Sequence, residues 1–319
     1  MITYFWLIIG FVLLIKGADY FVDGSANVAK IFKIPSIIIG MTIVAMGTSA
    51  PECAVSTLAS IKNNNGIAIS NAVGSNICNL LLVCGLCALL CPLPVQVSTL
   101  KKEFPFSIIA EVLLLFLSAD YIIFGITADN KVGRIDGAIL LLVFILFLTW
   151  MVKTTLAARK SITVEEEKEE ALPIYKCIAY IILGVFAILV GSDLAVDSAT
   201  VIATRFGLSE NMIGLTIIAL GTSLPELVTS VVAAKKGEVD MAIGNVIGSN
   251  IFNVLLVVGL ASAISPIGIL MESVYDLIFL CLSSVIVWLF ASTDKKIGRI
   301  EGFFMVIMYA AYMVYVCFR

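Results

Sequence analysis

The sequence predicts an all-α integral membrane fold: ten transmembrane helices in two inverted five-helix repeats, with broken helices at the GTSAPE and GTSLPE motifs. Three observations lead to this fold class, namely the apolar composition, an internal duplication, and the distribution of lysine and arginine. The 319 residues are 61% hydrophobic and 13% charged, whereas soluble domains carry about 25% charged residues. About ten apolar stretches approach the roughly 20 residues that a helix needs to cross a bilayer.

Short polar clusters separate these stretches and predict the loops between helices, among them KNNN at 62–65 and KKGEVD at 235–240. One longer insert, ARKSITVEEEKEEALP at 158–173, is highly charged and has no apolar stripe, so we expect a solvated linker at 158–172. The linker separates a first five-helix repeat at 1–157 from a second at 173–319.

The two halves are copies of each other. The number of residues from Glu52 to Glu226, the repeat offset, also separates five further pairs of identical residues. They are Gly17 and Gly191, Asp19 and Asp193, Gly40 and Gly214, Asn79 and Asn253, and Pro92 and Pro266. The similarity is strongest between residues of about 40–92 and 214–266, and KVGRIDG at 131–137 matches KIGRIEG at 296–302. An internal duplication of this kind is typical of membrane transporters.

Lysine and arginine lie mostly on one side of the predicted membrane. With five spans before the linker, one face collects fourteen of these residues and the opposite face five. The fourteen are Lys30, Lys33, Lys101, Lys102, Lys153, Arg159, Lys160, Lys168, Lys176, Lys235, Lys236, Lys295, Lys296 and Arg299, and the five are Lys62, Lys131, Arg134, Arg205 and Arg319. Basic residues accumulate in cytoplasmic loops. The linker is therefore predicted in the cytoplasm, and both termini outside a plasma (inner) membrane.

Two prolines predict a break in one helix of each repeat. Pro51 and Pro225 have no N–H, so the carbonyls of Gly47 and Gly221, four residues earlier, lose their helical partners. Within a membrane, such carbonyls are tolerated only against protein or a water-filled cavity, where they can bind a cation.

Hydroxyl and carboxylate groups gather at each break. Thr48 and Ser49 lie four and three residues before Glu52, which places their oxygens on the same helix face as the carboxylate. Thr222, Ser223 and Glu226 repeat the pattern. A carboxylate inside a membrane is costly and normally functional, and two symmetry-related carboxylates beside two breaks predict a binding site.

A second polar stripe lies on the next helix of each repeat. Its members are spaced by four residues, in NAVGSNICN and NVIGSNIFN: Asn71, Ser75 and Asn79, and Asn245, Ser249 and Asn253. For Asn71 and Asn245 interhelical packing is an equal alternative, whereas Gly74 and Gly248 are expected to let helices approach closely. All these groups are oxygen donors, which hard cations such as Ca²⁺ prefer.

Other residue types narrow the function further. The chain has no histidine, and its eight cysteines lie mostly in apolar stretches without paired spacing, so imidazole or thiolate metal sites and disulfides are not expected. Asp19, Asp23, Asp193 and Asp197 recur near helix ends, where we interpret them as helix-end or gating residues. A net charge of −3 does not favour a nucleic-acid partner.

The paired segments GMTIVAMGTSAPE and GLTIIALGTSLPE, each followed by GSN and a further Asn, resemble the two alpha-repeats of the Na⁺/Ca²⁺ exchanger family, of the prokaryotic type. The resemblance covers nearly the whole chain. It implies exchange of Ca²⁺ against Na⁺ by alternating access, without a cofactor or enzyme activity. The ion ligands that it implies are Glu52, Glu226, Thr48, Ser49, Thr222, Ser223, Ser75, Ser249, Asn79 and Asn253, with the carbonyls of Ala45 and Ala219.

Alternatives remain open at this point. Some members of the family have an aspartate where this chain has Asn79 or Asn253, so the Na⁺ stoichiometry and any K⁺ dependence are open. Proton-coupled Ca²⁺ antiport is the nearest alternative, although that branch typically has a glutamate where Gly74 and Gly248 stand. A passive cation channel would need a continuous polar pore, and a membrane-embedded enzyme would need a nucleophile and a base.

Overall fold

The computed structural model describes residues 2–62, 66–119, 130–161, 172–207 and 219–318, with the side chains of 157–161 and 219 left out. The first repeat contains α1 (Ile2–Phe32), α2 (Ser36–Thr48), α3 (Ala50–Ile61), α4 (Gly66–Leu90), β1 (Leu93–Pro94), α5 (Val97–Lys101), α6 (Glu103–Ser118), β2 (Lys131–Val132) and α7 (Arg134–Ser161). The second contains α8 (Ile174–Arg205), α9 (Ala219–Gly221), α10 (Leu224–Lys235), α11 (Val239–Ile264), β3 (Ile267–Gly268), α12 (Met271–Thr293), β4 (Lys296–Ile297) and α13 (Arg299–Phe318).

Long apolar helices dominate, as the composition predicts. Within the described ranges, seven single helices are long and apolar enough to cross a membrane, and the bent pair α2 and α3 adds an eighth. The two remaining predicted spans coincide with α5 and α6, and with α9 and α10, the latter preceded by residues 208–218, which lie outside the described ranges. The elements agree with the ten-helix prediction.

Both predicted helix breaks are present. The chain bends by 48° between α2 and α3, where Ser49 leaves helical geometry at φ −83° and ψ 8°. Ser223 has nearly the same angles, φ −89° and ψ 2°, immediately before α10. In both repeats the proline falls in the first turn of the following helix, where its missing N–H costs that helix no hydrogen bond, so the lost partner is that of the carbonyl in the segment before the break.

The inversion of the repeats is visible in the packing of α1 against α8, which are counterparts. A Cβ atom added to Gly17 would lie 2.9 Å from the carbonyl oxygen of Gly184, and one added to Gly10 would lie 2.9 Å from that of Gly191. Residue numbers rise along one helix as they fall along the other, so the counterparts run antiparallel. Only glycine allows this backbone approach at each position.

Two short ladders join the repeats, which the all-helical expectation missed. β1 pairs with β4, and β2 pairs with β3, both antiparallel. Val132 and Ile297, at equivalent positions of the KVGRIDG and KIGRIEG segments, are fully buried in the two ladders. Strands of two residues leave no alternating pattern long enough to detect.

The most buried helices, α4 and α11, cross at the centre of the molecule. The side chain of Asn76 donates to the carbonyl of Asn250 at 3.1 Å, and that of Asn250 donates to the carbonyl of Asn76 at 3.4 Å. The two asparagines are themselves separated by the repeat offset. Their reciprocal hydrogen bonds therefore mark the pseudo-twofold axis that relates the repeats.

The boundary between the repeats stays a prediction. The helix α7 continues to Ser161 and α8 begins at Ile174, so the first residues of the predicted linker at 158–172 belong to α7. Residues 162–171 lie outside the described ranges.

Candidate functional site

Glu52 and Glu226 occupy the first turns of α3 and α10, and both side chains are fully buried. The breaks at Ser49 and Ser223 place each carboxylate at a helix N-terminus, where the free backbone N–H groups and the helix dipole favour negative charge. The local sequence thus explains how two acids are placed inside an apolar protein.

The two breaks form one site, because hydroxyl groups cross between the repeats. The hydroxyl of Ser49 donates to Oε1 of Glu226 at 2.8 Å. Ser75 of α4 donates to Oε1 of Glu52 at 3.3 Å, and Ser223 donates to the oxygen of Ser75 at 3.1 Å. Each carboxylate is therefore linked to a residue of the other repeat, directly or through Ser75.

Amide groups of the second polar stripe complete the site. The Nδ2 group of Asn253 donates to the Ser75 hydroxyl at 3.2 Å, which brings α11 to the same place. Ser249 lies beside the carboxyl of Glu226. Asn79 follows Ser75 by four residues on α4 and is fully buried, so it lies on the same face of its helix.

Five buried oxygens of this site have no hydrogen-bond partner within the described part of the chain. They are Oε2 of Glu52, Oε2 of Glu226, Oδ1 of Asn79, Oδ1 of Asn253 and the hydroxyl oxygen of Ser249. Leaving a buried polar atom unpaired costs about 1–3 kcal/mol. A bound cation would satisfy all five, since each has a free lone pair.

Within the described ranges, three π-helical turns lie next to the predicted ligands. They span Gly40–Val44, Cys78–Val83 and Asn253–Val257. The first ends just before Ala45, the second contains Asn79, and the third begins at Asn253. Single π-helical turns inside α-helices occur frequently at functional sites, and no residue pattern in the sequence predicts them.

Asn245 and Asn71 hold the threonines of the breaks in place. The hydroxyl of Thr48 donates to Oδ1 of Asn245 at 3.1 Å, and Nδ2 of Asn245 donates to Ser230 at 2.9 Å. The counterpart bonds join Thr222 to Asn71 at 3.4 Å and Asn71 to Ser56 at 3.0 Å. These contacts agree with the packing interpretation of the two asparagines. Ser56 and Ser230 were missed, although the repeat offset that separates them is a detectable signal.

The predicted carbonyl ligands are engaged to different extents. The carbonyl of Ala45 accepts the backbone N–H of Ser49 at 2.9 Å and lies 3.4 Å from the hydroxyl of Thr48, which also donates towards it. Ala219, its counterpart, begins α9. The Gly221 carbonyl, which was expected to be free, accepts the hydroxyl of Ser192 at 3.0 Å, so a residue of α8 replaces the lost helical partner.

Close approach at Gly248 is confirmed, because a Cβ atom added there would lie 2.6 Å from the Cα atom of Met41. The contact expected by symmetry for Gly74 involves Leu215, which lies outside the described ranges.

The four repeated aspartates that were predicted near helix ends lie away from the buried carboxylates. Lys236, which follows α10, forms ion pairs with Asp23 at 2.7 Å and with Asp19 at 3.5 Å, and these side chains are 30–47% exposed. Asp19 and Asp23 lie well inside α1, which continues to Phe32, and Asp193 and Asp197 lie inside α8, which continues to Arg205, so the helix-end interpretation is wrong. In the described part of the chain, no hydrogen bond or ion pair joins these aspartates to Glu52 or Glu226.

Comparison with known proteins agrees with this geometry. The family model described as sodium/calcium exchanger protein matches residues 2–153 and 176–318. The sodium/calcium exchanger MaX1 of Methanosarcina acetivorans is 31% identical over 98% of both chains. The inner membrane protein YrbG of Escherichia coli is 39% identical over 82% of this chain and 79% of its own length.

Solved structures agree as well. A structure of the sodium-calcium exchanger NCX_Mj soaked with Na⁺ superposes with a TM-score of 0.84 at 34% identity, covering 98% of each chain. The fold, the duplicated motifs and the family match extend over nearly the whole length. The chain is a multi-pass membrane protein that belongs to the sodium/calcium exchanger family, a family of cation transporters.

Proposed function

We propose that this protein is a secondary active antiporter that exchanges Ca²⁺ against Na⁺ by alternating access. The observation that carries the proposal is the pair of fully buried carboxylates, Glu52 and Glu226, joined across the repeats by serine hydroxyls. Buried acids between inverted repeats suit a transported cation that is held near the bilayer midplane.

The ligands proposed for the ions combine charged and neutral oxygens. Glu52 and Glu226 supply the negative charge, and side-chain or backbone oxygens supply the rest. The neutral ligands are Thr48, Ser49, Ser75, Asn79, Thr222, Ser223, Ser249 and Asn253, with the carbonyls of Ala45 and Ala219. Ca²⁺ takes 6 to 8 such oxygens, and two carboxylates balance its charge.

Na⁺ as the coupling ion is supported by the neutral oxygens. A proton on a glutamate would leave Oδ1 of Asn79, Oδ1 of Asn253 and the Ser249 hydroxyl oxygen without a partner in the described part of the chain, whereas a metal ion would bind them. Proton coupling and K⁺ dependence are the alternatives that the following experiment distinguishes.

The test is Ca²⁺ uptake into proteoliposomes with outward gradients of Na⁺, H⁺ or K⁺ imposed separately. Uptake should follow the Na⁺ gradient at fixed pH. The variant Asp294→Asn, which removes a 69% exposed surface carboxylate, is the matched control for loss of an acid and should transport normally. Uptake driven equally well by a pH gradient without Na⁺ would assign the chain to proton coupling.

The same proposal includes a cytoplasmic linker and termini outside a plasma (inner) membrane. In a cysteine-free background, Glu166→Cys should react only with reagents applied from the cytoplasm. Lys131→Cys should react only from outside, and it is a better reporter than its neighbour Asn130 because Lys131 is exposed while Asn130 is buried. Labelling of Glu166→Cys from outside would contradict the orientation.

A further inference from the structure

After Glu52 and Glu226, Glu111 is the most deeply buried carboxyl group among the described residues, and the proposed ion site does not use it. It lies in the middle of α6 and is 1% exposed. The hydroxyl of Ser107, one turn earlier, donates to its Oε1 at 3.4 Å. Ser284 of α12 and Asn250 of α11 lie beside the same carboxyl group. The group therefore lies where three helices meet.

Glu111 has no counterpart in the other repeat. The repeat offset matches the start of α5, Val97, to the start of α12, Met271. It places Val285 opposite Glu111 and Cys281 opposite Ser107. Both carboxylates of the proposed ion site are duplicated, whereas this one is not, so the group around Glu111 is a separate feature.

Two acceptor oxygens at this place lack a donor. Oε2 of Glu111 and Oδ1 of Asn250 have no hydrogen-bond partner in the described part of the chain. The orientation of the Asn250 amide is set by its Nδ2 group, which donates to the carbonyl of Asn76. A carboxylate oxygen and an amide oxygen only accept hydrogen bonds. The neighbouring Ser284 hydroxyl also has no partner in the described part of the chain, but its one O–H can serve only one of the two acceptors. The pair therefore still lacks one proton.

No basic residue of the three helices balances an ionised Glu111. The segments 103–118, 239–264 and 271–293 contain no lysine, arginine or histidine. Cys281 is the titratable group that faces Glu111 from α12. The acids of α11 and α12, at Asp240, Glu272 and Asp276, precede Asn250 and Ser284 by eight residues or more, about 12 Å or more along a helix.

We propose that Glu111 is a binding site for a single proton. The proton forms an O–H bond at Oε2 and is donated in a hydrogen bond to Oδ1 of Asn250. The carboxyl group then carries no charge, and both unpaired acceptors are satisfied. Burying a neutral, hydrogen-bonded acid costs far less than burying an unpaired charge.

This hydrogen bond ties α6 to α11 one residue away from Ser249, a proposed ion ligand. This inference rests on the proposed exchange function. The proton on Glu111 regulates exchange and is not an ion whose gradient drives Ca²⁺ transport. Loss of the proton would place a charge next to Asn250 and disturb α11, so exchange should fall at high pH. The transported ions would remain those bound at Glu52 and Glu226.

The direct test is infrared spectroscopy of the purified protein in saturating Ca²⁺, which keeps the acids of the ion site ionised. The wild type should show the carbonyl stretch of a protonated carboxyl group at neutral pH. The band should be absent in Glu111→Gln, shifted in Asn250→Leu and unchanged in the control Asp294→Asn. Identical spectra for wild type and Glu111→Gln would overturn the proposal.

A second measurement tests for a metal ion in place of the proton. In the background Glu52→Gln/Glu226→Gln, which lacks the main acids, Na⁺ should leave the melting temperature unchanged whether residue 111 is Glu or Gln. Stabilisation by Na⁺ that requires Glu111 would show a metal site and overturn the proposal. Neither assay depends on transport, so a negative outcome is distinct from failure of Na⁺/Ca²⁺ exchange.

The functional consequence is measured by exchange. Glu111→Gln keeps a neutral group whose Nε2–H can donate to Asn250, so exchange at neutral pH should stay within about twofold of the wild type, and its decline at high pH should be smaller. An unchanged high-pH decline in Glu111→Gln would contradict the regulatory role, even if the infrared band is found.

Discussion

The two ends of the α1 and α8 pair have the same residues but different contacts. At one end, Lys236 forms ion pairs with Asp19 and Asp23. The repeat offset maps these three onto Lys62, Asp193 and Asp197. In the described part of the chain, no ion pair joins Lys62 to either aspartate. Equivalent sequences have therefore adopted unequal arrangements.

The same inequality occurs inside the site. Ser49 donates to Glu226, whereas its counterpart Ser223 donates to Ser75 and not to Glu52. An inverted repeat can exchange the two arrangements, which would give a second state of similar energy with the roles of the halves reversed. The difference between the halves is thus the physical basis on which the proposed alternating access rests.

The largest expected effect follows from the two carboxylates. If the unequal contacts of Glu52 and Glu226 occur only in this state, both carboxylates should contribute equally to ion binding over a full transport cycle. Glu52→Gln and Glu226→Gln keep the size of the side chain and remove one charge. Because an uncompensated buried charge costs about 3–5 kcal/mol, Ca²⁺ exchange should fall at least about a hundredfold in both variants. The measurement is Ca²⁺ uptake at matched expression.

Near-normal exchange by either variant would remove that residue from the site. A large loss in one variant and a small loss in the other would show that the two halves differ permanently.

A smaller effect is expected where the counterpart helices touch. An added methyl group at Gly17 would lie 2.8 Å from the backbone nitrogen of Ile188, and one at Gly191 would lie 2.7 Å from that of Leu14. Overpacking costs about 1–3 kcal/mol, so Gly17→Ala and Gly191→Ala should lower the melting temperature to a similar degree. Gly268→Ala is the control, since an added Cβ there meets no described atom within 4 Å. Equal stability of all three would refute the close contact.

Much of the fold was predictable because it depends on patterns that the sequence carries directly. Apolar length predicts the spans, proline predicts the breaks at Ser49 and Ser223, and the repeat offset predicts which residues lie on opposite sides of the pseudo-twofold axis. Glu52 and Glu226 stand out because a carboxylate in an apolar span is costly.

The remaining features depend on contacts between distant segments. The ladders of β1 with β4 and β2 with β3 involve two residues per strand, and the π-helical turn at Asn79 arises from backbone hydrogen bonding. The bond from Ser192 to the Gly221 carbonyl joins two helices whose sequences give no sign of it. The unequal use of Ser49 and Ser223 cannot follow from near-identical motifs, because it is a property of one state of the molecule.

The serines that hold the carboxylates should have moderate effects. The hydrogen bond from Ser49 to Glu226 is lost in Ser49→Ala, and the bond from Ser223 to Ser75 is lost in Ser223→Ala. A hydrogen bond contributes about 0.5–1.5 kcal/mol, so the Na⁺ concentration for half-maximal exchange should rise by about two- to tenfold in both. Dependence on Na⁺ that is unchanged in both variants would favour proton coupling.

The smallest effect concerns the ion pairs at Lys236. Exposed ion pairs contribute about 0–1 kcal/mol, so Lys236→Gln should change the populations of two states by up to about fivefold while leaving the fold intact.

Cys53 can report the change, because it lines a cavity of about 590 Å³ together with Ser49. With the other cysteines replaced, Lys236→Gln should slow the labelling of Cys53, because it destabilises the state in which Lys236 pairs with Asp19 and Asp23. Lys62→Gln removes the counterpart lysine, which makes no such contact in this state, so labelling should stay unchanged or become faster. Equal slowing by both variants would mean that the two ends are equivalent, and the difference between them would then carry no information about the transport cycle.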